Sequence, residues 1–436
     1  MNKTGLGKHF ATILCLVFVL TVVAGCGGQT PAKPAESKTV NIEYWHINSQ
    51  SFGGPAVSEL IKMFNEKNPD IKVTEKFHPN VYTGLMQNLQ AALAAGNPPA
   101  VAQIGYNYVE YAANSFPFLN IEEAVKLDPA DKDYLTHFFP NVLALAQAKG
   151  KQAGLPYSVS NPVMYINSEL VAKAGLDPNK PPKTWKELQE AASIVKEKTG
   201  AYGLYIQEAG DNWTQQALME SNGARILKQE NGKFKAAFNS PQAIAAYQDL
   251  ANMVLKEKSA IHATTEEGFQ AFVAGKVAYY IGTVARRSAV ESSAKFKVAG
   301  AEFPVFGDNA RRIPAGGNSL FIFAKDPAQQ KAAWKFIKFL NSPEALAVWI
   351  KGTGYLPPRN DVSNTPALKP ILEDNVIMKA ATMQMGSVVP WVNFPGANGL
   401  QAEKALVDAR DAILGGSKAP AAALKDAEDR VNSLIK

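Results

Sequence analysis

From Thr39 onward the apolar positions of the chain switch back and forth between two periods. Val40, Ile42 and Tyr44 alternate with polar neighbours, which predicts a strand with one buried face. Val57, Leu60, Ile61 and Phe64 then recur at helical spacing until Asn68-Pro69. Ile71 and Val73 alternate again, Leu85, Leu89 and Leu93 mark a second helix closed by Gly96, and AVAQIG at 100–105 reads as a short buried strand. Further on, Thr184 with Glu187 forms a capping box ahead of Leu188, Ala192 and Val195, and Gly200 stops that helix. SLFIFAK at 319–325 predicts a strand, and Asp326-Pro327 opens a helix whose apolar face is Trp334, Ile337, Phe339 and Leu340. Ser342-Pro343-Glu344 starts another, which Gly352-Thr353-Gly354 breaks. Strands alternating with helices make an α/β chain of central, mostly parallel sheets flanked by helices on both faces.

Ahead of this pattern, Lys3 and Lys8 precede an apolar run from Ala11 to Val23 that ends in small residues, the layout of a secretory signal. The run is shorter than the roughly 18 to 20 residues of a membrane-spanning helix. Val23-Ala24-Gly25-Cys26 resembles the lipobox of bacterial lipoproteins. That resemblance implies that residues 1–25 are removed and that acyl chains such as palmitate on Cys26 hold the chain at the extracytoplasmic face of the cell membrane. Residues 26–38, with GGQTPAKPAESK after the cysteine, suit a flexible tether. Cys15 leaves with the leader, so the mature chain forms no internal disulfide.

Charge adds little to the picture. Of the 436 residues, 45 Lys and Arg against 39 Asp and Glu give a formal charge of +6, and Lys3 and Lys8 supply part of it. The charges are interspersed, with no basic block interleaved with aromatics, which argues against nucleic-acid binding. Without leader and tether about 400 residues remain, enough for two domains.

Catalytic signals are sparse. His9, His46, His78, His137 and His262 are scattered with no HExxH pairing, and no P-loop or dinucleotide glycine fingerprint occurs. Asp128, Asp131 and Asp133 have the wrong spacing for a calcium loop and read as a turn. No catalytic residue, cofactor or metal ligand is assigned, and the chain reads as a binding protein rather than an enzyme. The aromatics say more. Trp45, Tyr82, Tyr106, Tyr108, Trp213, Tyr355 and Trp391 stand at strand ends or beside Gly, Asn and Pro, outside helical stripes. A sugar offers an apolar C–H face and a rim of hydroxyls, so flat aromatic platforms beside Asn, Asp, Ser and Arg fit it. Trp213, flanked by Gly210, Asp211 and Asn212, and Trp45, followed by His46 and Asn48 at the carboxyl end of the first strand, are such platforms. Trp185, Trp334 and Trp349 fall in helical patterns and belong to cores.

Several long stretches resemble the extracytoplasmic solute-binding proteins of ABC importers, in the carbohydrate group that includes maltose- and glycerol-3-phosphate-binding proteins. They include IEYWH with LIKMFNEKNPDIKV, LQAALAAGNPPAVAQIG, PYSVSNPVMYINSELVAKAGLDPNKPPKTWKELQEAA, FQAFVAGKVAYYIGT, PAGGNSLFIFAKD and FIKFLNSPEALAVWIKGTGYLPPR. The resemblance implies a two-lobe clamshell of class II type, with residues 39–158 and 312–353 in one lobe and 159–311 and 354–436 in the other. The chain would cross near Pro156 to Pro162, Arg311 to Pro314 and Gly352 to Pro357. It also implies that the lobes close on a ligand by hinge rotation, that ABC permease subunits are the partners, and that the body is a monomer.

Residue by residue, Tyr82, Ser160, Trp213, Gly317 and Tyr355 fall where the glycerol-3-phosphate-binding relatives hold their ligand, and Thr283 falls at a hydroxyl position. Tyr106 stands where an acidic contact is expected. The ligand arginine is replaced around Phe394, in VPWVNFPGANG, whose Trp391 joins the candidate set with His46 and Asn318. A phosphomonoester requires a charge-assisted bidentate partner, so the departure implies a neutral sugar, an oligosaccharide or glycoside. Arg286 and Arg287 keep an alternative open, namely glycerol-3-phosphate, a glycerophosphodiester or an acidic sugar. An anchored glycan hydrolase, which would require an acid and a base in one cleft, and a sensor module on the same scaffold are the readings from other classes.

Overall fold

Residues 39–435 are described by the computed structural model; the leader, Cys26 and the tether lie outside the described residues. β1 (Val40–His46) runs parallel to β2 (Ile71–Phe77) on one side and β3 (Val101–Gly105) on the other. β10 (Gly316–Ile322) runs antiparallel to β3 and to β4 (Leu155–Ser160), giving a five-stranded sheet in the order β2-β1-β3-β10-β4. The second sheet repeats this plan. β6 (Tyr202–Ile206) lies parallel to β7 (Ala260–Ile261) and β8 (Val277–Thr283), and β5 (Pro162–Asn167) runs antiparallel to β8 and β9 (Val298–Glu302). Its order is β7-β6-β8-β5-β9. Each sheet is thus mostly parallel with one reversed strand in fourth place.

The flanking helices carry the expected local chemistry. α1 (Gly54–Lys67) buries Val57, Leu60, Ile61 and Phe64, and α2 (Val81–Ala94) buries Leu85 and Leu89. α3 (Trp185–Thr199) has both halves of the Thr184/Glu187 capping box and ends on Gly200 at φ 75°. α4 (Trp213–Ser221) and α5 (Thr265–Val273) belong to the second sheet's half. α6 (Pro327–Leu340) is capped by Asp326, whose Oδ1 accepts from the amides of Ala328 and Gln329, each at 3.0 Å. α7 (Pro343–Gly352) follows, and α8 (Gly399–Leu414) and α9 (Pro420–Leu434) pack on one another in the second half. The strand read at 319–325 begins and ends three residues earlier, because Gly316 and Gly317 join the ladder beside Ser160 and Val159. Among the described residues no helix is long and apolar enough to cross a membrane.

Asp128 and Asp131 serve the fold. Asp128 caps a short turn, both carboxylates hold Lys338, at 3.0 and 2.7 Å, and Asp131 also accepts from the Trp334 indole at 2.7 Å. Trp185, Trp334 and Trp349 are core residues. The largest cluster passes from the first sheet through the crossing strands to Tyr165 and Tyr280 on one face of the second. Residues from Thr39 on form one compact unit by themselves.

At the crossings, the Trp349 ring stacks between Tyr157 at 5.1 Å and Tyr355 at 5.4 Å, and its Nε1 donates to Ser158 Oγ at 3.2 Å. Removing such a ring leaves a large void, so Trp349→Ala is expected to cost about 3 to 5 kcal/mol in a denaturant unfolding experiment. A loss under about 1 kcal/mol would show that this stack does not brace the crossings.

Candidate functional site

The strand ends and chain crossings meet at a recess of about 60 Å³ that opens beside a cleft of about 1110 Å³; Phe52, Val81, Ala209, Thr265 and Arg286 wall both. The first lobe contributes Phe52 and Tyr82, the second Gln207, Asp211, Trp213, Thr283 and Arg286, and the crossing segments Ser160, Gly316, Gly317 and Tyr355, with Trp391 closing the set. Eight of the thirteen ligand-site residues expected from sequence therefore share one recess: Tyr82, Ser160, Trp213, Thr283, Arg286, Gly317, Tyr355 and Trp391.

Local geometry explains how each is held. Asn80 and Val81 enter α2 at φ 62° and 53°. A β-branched residue in the left-handed region is strained, and this strained pair sets Tyr82 on the first turn, facing the recess. Asn318 donates from Nδ2 to the Tyr82 hydroxyl at 3.0 Å and is itself fully buried, so it positions a wall residue without lining the recess. Trp213 opens α4, where Asp211 Oδ1 accepts from its amide at 3.1 Å and its Nε1 donates to the Pro314 carbonyl at 3.1 Å. A Cβ at Gly316 would stand 2.9 Å from the Trp213 ring, so only glycine lets the indole lie on the crossing strand. At Gly317, φ is +113° and a Cβ would come within 1.9 Å of the Ser158 carbonyl oxygen. Trp391 donates from Nε1 to Asn212 Oδ1 at 2.6 Å. Its ring stands 6.3 Å from that of Trp213 and 6.2 Å from that of Tyr82, both inclined. Tyr355 stacks on Trp349 and meets Phe52 at 6.2 Å. Burial pushes the Tyr82 and Tyr355 hydroxyls upward, so both stay neutral donors.

The polar groups have settled partners. Gln207 Oε1 accepts from the Thr283 amide at 3.1 Å and the Tyr280 hydroxyl at 3.2 Å, and Thr283 Oγ1 accepts from the Ala285 amide at 3.2 Å. Arg286 donates from Nη1 and Nη2 to one oxygen of Glu266, at 3.2 and 3.3 Å, with its guanidinium over the Phe52 and Phe269 rings. Asp211 is buried in the wall, and burial pushes its carboxyl up to about 6. Arg287 turns away, to Glu291 at 2.5 Å and to the Ile350 and Lys351 carbonyls.

Four expectations need correction. Trp45 lies outside the recess: its ring packs on His78 at 4.2 Å under Lys76 at 4.7 Å, and its Nε1 donates to Glu43. His46 stacks on Tyr44, and burial, with His78 nearby, lowers its imidazole to about 4; its Nε2, 3.3 Å from Glu75, therefore makes no ion pair. Both stand at the carboxyl end of β1, but as adjacent strand residues they point to opposite faces of the sheet, Trp45 against Lys76 and His78 and His46 beside Tyr44 and Phe77, and neither lines the recess. Tyr106 is buried in a cluster with Tyr82 and Trp213, its hydroxyl without a partner, and it does not line the recess. Phe394 is packed into the second lobe's core with Ala402 and Leu406. It does not line the recess, whereas Trp391, three residues earlier, does.

Phe52, Gln207 and Asp211 were not singled out as ligand residues by sequence. Asp211 had a signal in its place beside Trp213, whereas Phe52 and Gln207 carry none. Across the cleft mouth, Glu208, His262 and Asp411 bring donor atoms within 4.8 Å of one another. Arg410 already sits there, 2.8 Å from Asp411 and 3.9 Å from Glu208, so a guanidinium fills the cation's place.

Comparison with known proteins follows the same lines. The family model for bacterial extracellular solute-binding proteins matches residues 59–380. A curated relative, the sn-glycerol-3-phosphate-binding periplasmic protein UgpB of Yersinia pseudotuberculosis, is 26% identical over 97% of this chain and 96% of its own. Two solved structures share the fold. Maltose-bound MalE3 of T. maritima aligns at a TM-score of 0.79 and 24% identity, over 91% of this chain and 100% of that one. UgpB from Mycobacterium tuberculosis in complex with glycerophosphocholine aligns at 0.79 and 23%, over 91% of this chain and 98% of that one. The two-lobe α/β clamshell with a walled recess at the crossings and the family match agree, and the chain belongs to the bacterial extracellular solute-binding proteins.

Proposed function

We propose that this extracellular solute-binding protein captures a neutral carbohydrate, an oligosaccharide or glycoside, between its lobes and delivers it to an ABC importer. The residues taken to move as bodies are 39–158 with 312–353 and 159–311 with 354–436, closing about the three crossings. Lipid on Cys26 and the tether of residues 26–38 hold the monomeric body to the extracytoplasmic face of the membrane, and no turnover accompanies binding.

The single observation that carries the ligand class is the composition of the recess. Tyr82, Trp213, Tyr355 and Trp391 offer flat faces, with Ser160, Gln207 and Thr283 between them, while Arg286 is engaged by Glu266. Apolar faces with interspersed hydroxyl and amide groups match a sugar ring and its rim. A phosphate oxygen requires donors not already held by a carboxylate, and Asp211 in the wall repels one further. The second reading, a glycerol phosphate or its diester, takes its support from the relatives' names and from the presence of Arg286. It requires Arg286 to leave Glu266 on binding.

A thermal-shift screen of the chain from Thr39 on separates the two. A solute that binds only the folded protein stabilises it by about 2.7 kcal/mol at a hundredfold excess over Kd. Neutral saccharides are expected to raise Tm and to be recovered unchanged, while glycerol-3-phosphate does not raise it. A rise confined to glycerol-3-phosphate or glycerophosphocholine would overturn the ligand class, and a saccharide recovered cleaved would overturn the receptor reading.

Trp213→Ala is expected to weaken saccharide binding at least tenfold, about 1.4 kcal/mol, and, because the indole is buried and bonded to Pro314, to lower Tm as well. Trp213→Phe keeps a ring and loses that bond, so its stability cost is held to about 1 to 3 kcal/mol. Unchanged affinity in both variants, read by calorimetry, would remove Trp213 from the site. For the anchor, Cys26→Ala is expected to move the protein from the membrane fraction to the soluble fraction; retention at the membrane would contradict lipid attachment.

A further inference from the structure

One buried acid joins the lobes beside the recess. Glu403, on α8 of the second lobe, is only 3% exposed, and its neighbours come from both sides of the cleft. Asn107, in the turn that follows β3 in the first lobe, donates from Nδ2 to both carboxyl oxygens at 3.1 Å, and Tyr108 beside it turns its hydroxyl to the same carboxyl. From the second lobe the Asn212 amide donates to Oε1 at 3.2 Å. Thr83 Oγ1, which contacts the Tyr108 hydroxyl at 3.0 Å, also donates to the Gly210 carbonyl at 3.1 Å, so the same corner is tied twice across the cleft.

Among the described residues no cation pairs with this carboxyl. The titratable groups facing it are Tyr108 from the first lobe and Asp211 from the second, and Asp211 is itself an acid in the recess wall. Arg410, farther along α8, is bonded to Asp411 and the Ala209 carbonyl and acts on Asp211. Lys404 is held by Asp408 at 2.7 Å. A buried charge with no cation beside it and a second acid as neighbour is costly even where amides donate to it, and a proton removes that cost. The bonds from Tyr108, Asn212 and Asn107 favour the charged form, but burial and Asp211 outweigh them.

We infer that Glu403, with Asp211, forms a proton-binding site that is complete only when the lobes meet, so that closing on a solute takes up a proton. The inference rests on the cleft being the place where the lobes close, but not on which solute closes it. Parting the lobes removes Asn107 and Tyr108 from the carboxyl and lets water reach it. The direction follows from burial and from Asp211, which push Glu403 from the ordinary 4.5 up to about 8 in the closed molecule. A raised acid favours the closed state fully below the ordinary value, and that advantage is lost as pH rises through about 8. Between those limits the ratio of closed to open molecules, and with it the affinity for any solute, falls by up to about tenfold per pH unit per proton.

The test requires no solute. Small-angle X-ray scattering of the chain from Thr39 on, at about pH 5.5 and about pH 8.5, reads the opening of the lobes, with circular dichroism confirming that the fold persists. The wild-type radius of gyration is expected to be smaller at the lower pH. Glu403→Gln, which keeps the shape and carries no charge, is expected to show the smaller radius at both. A wild-type radius that does not change with pH, or a Glu403→Gln variant that opens with the wild-type profile, would overturn the inference. A failed saccharide screen would leave it untouched.

Discussion

The structure depends on the way the chain passes from one sheet to the other. β4 ends at Ser160, Asn161 turns, and β5 begins at Pro162, so consecutive strands belong to different sheets with a single residue between them. Asn161 is fully buried, its Nδ2 donates to the Ala381 carbonyl at 2.9 Å, and its Oδ1 accepts from Gln384 at 2.8 Å. A turn so short leaves its backbone no freedom to wander and must satisfy its polar groups from neighbouring segments. The return enters the first sheet at Gly316, and it needs the two glycines because Trp213 and the Ser158 carbonyl occupy the space where side chains would go. The residues that allow the crossings are therefore also walls of the recess, and a change in the angle between the lobes is felt there first.

Charge divides the work around that recess. Inside it the uncharged hydroxyls and the indole and phenol rings face the space, while the guanidinium of Arg286 is neutralised by Glu266 and braced between Phe52 and Phe269. That pair also touches the first lobe, since Ser51 Oγ lies 3.3 Å from Glu266. Glu403 ties the opposite corner. An ion pair of the second lobe, touched by Ser51 of the first, and a buried acid bonded by Asn107 of the first thus stand on either side of an aromatic recess, and burial and Asp211 raise that acid.

Much of this was legible in the chain. The alternation of two periods fixes the α/β class, and the capping box at Thr184, the cap at Asp326 and the helical placement of Trp185, Trp334 and Trp349 carry over because each rests on local chemistry. The recess was legible where the resemblance supplied positions, as at Tyr82, Ser160 and Tyr355. It was not legible where a side chain's surroundings depend on what covers each face of a sheet. Trp45 and His46 stand at the expected end of β1 and point to opposite faces, away from the recess, and nothing within the segment reveals what will cover either face. Phe394 looked like a substitution at a ligand position, whereas helix α8 packs over it and makes it core. Glu403 had no signal at all, since its burial depends on a first-lobe turn about three hundred residues earlier, Asn107 lying 296 positions away.

The central claim is that a neutral solute is held by rings and hydroxyl groups at the crossings, with Arg286 still paired to Glu266. Its most direct test is a crystal structure of the chain with a saccharide that raises its Tm. The expected electron density places a sugar ring among Tyr82, Trp213, Tyr355 and Trp391, with the Arg286 to Glu266 pair intact. Density for the solute elsewhere, or for an anionic group on Arg286 with Glu266 displaced, would contradict the claim.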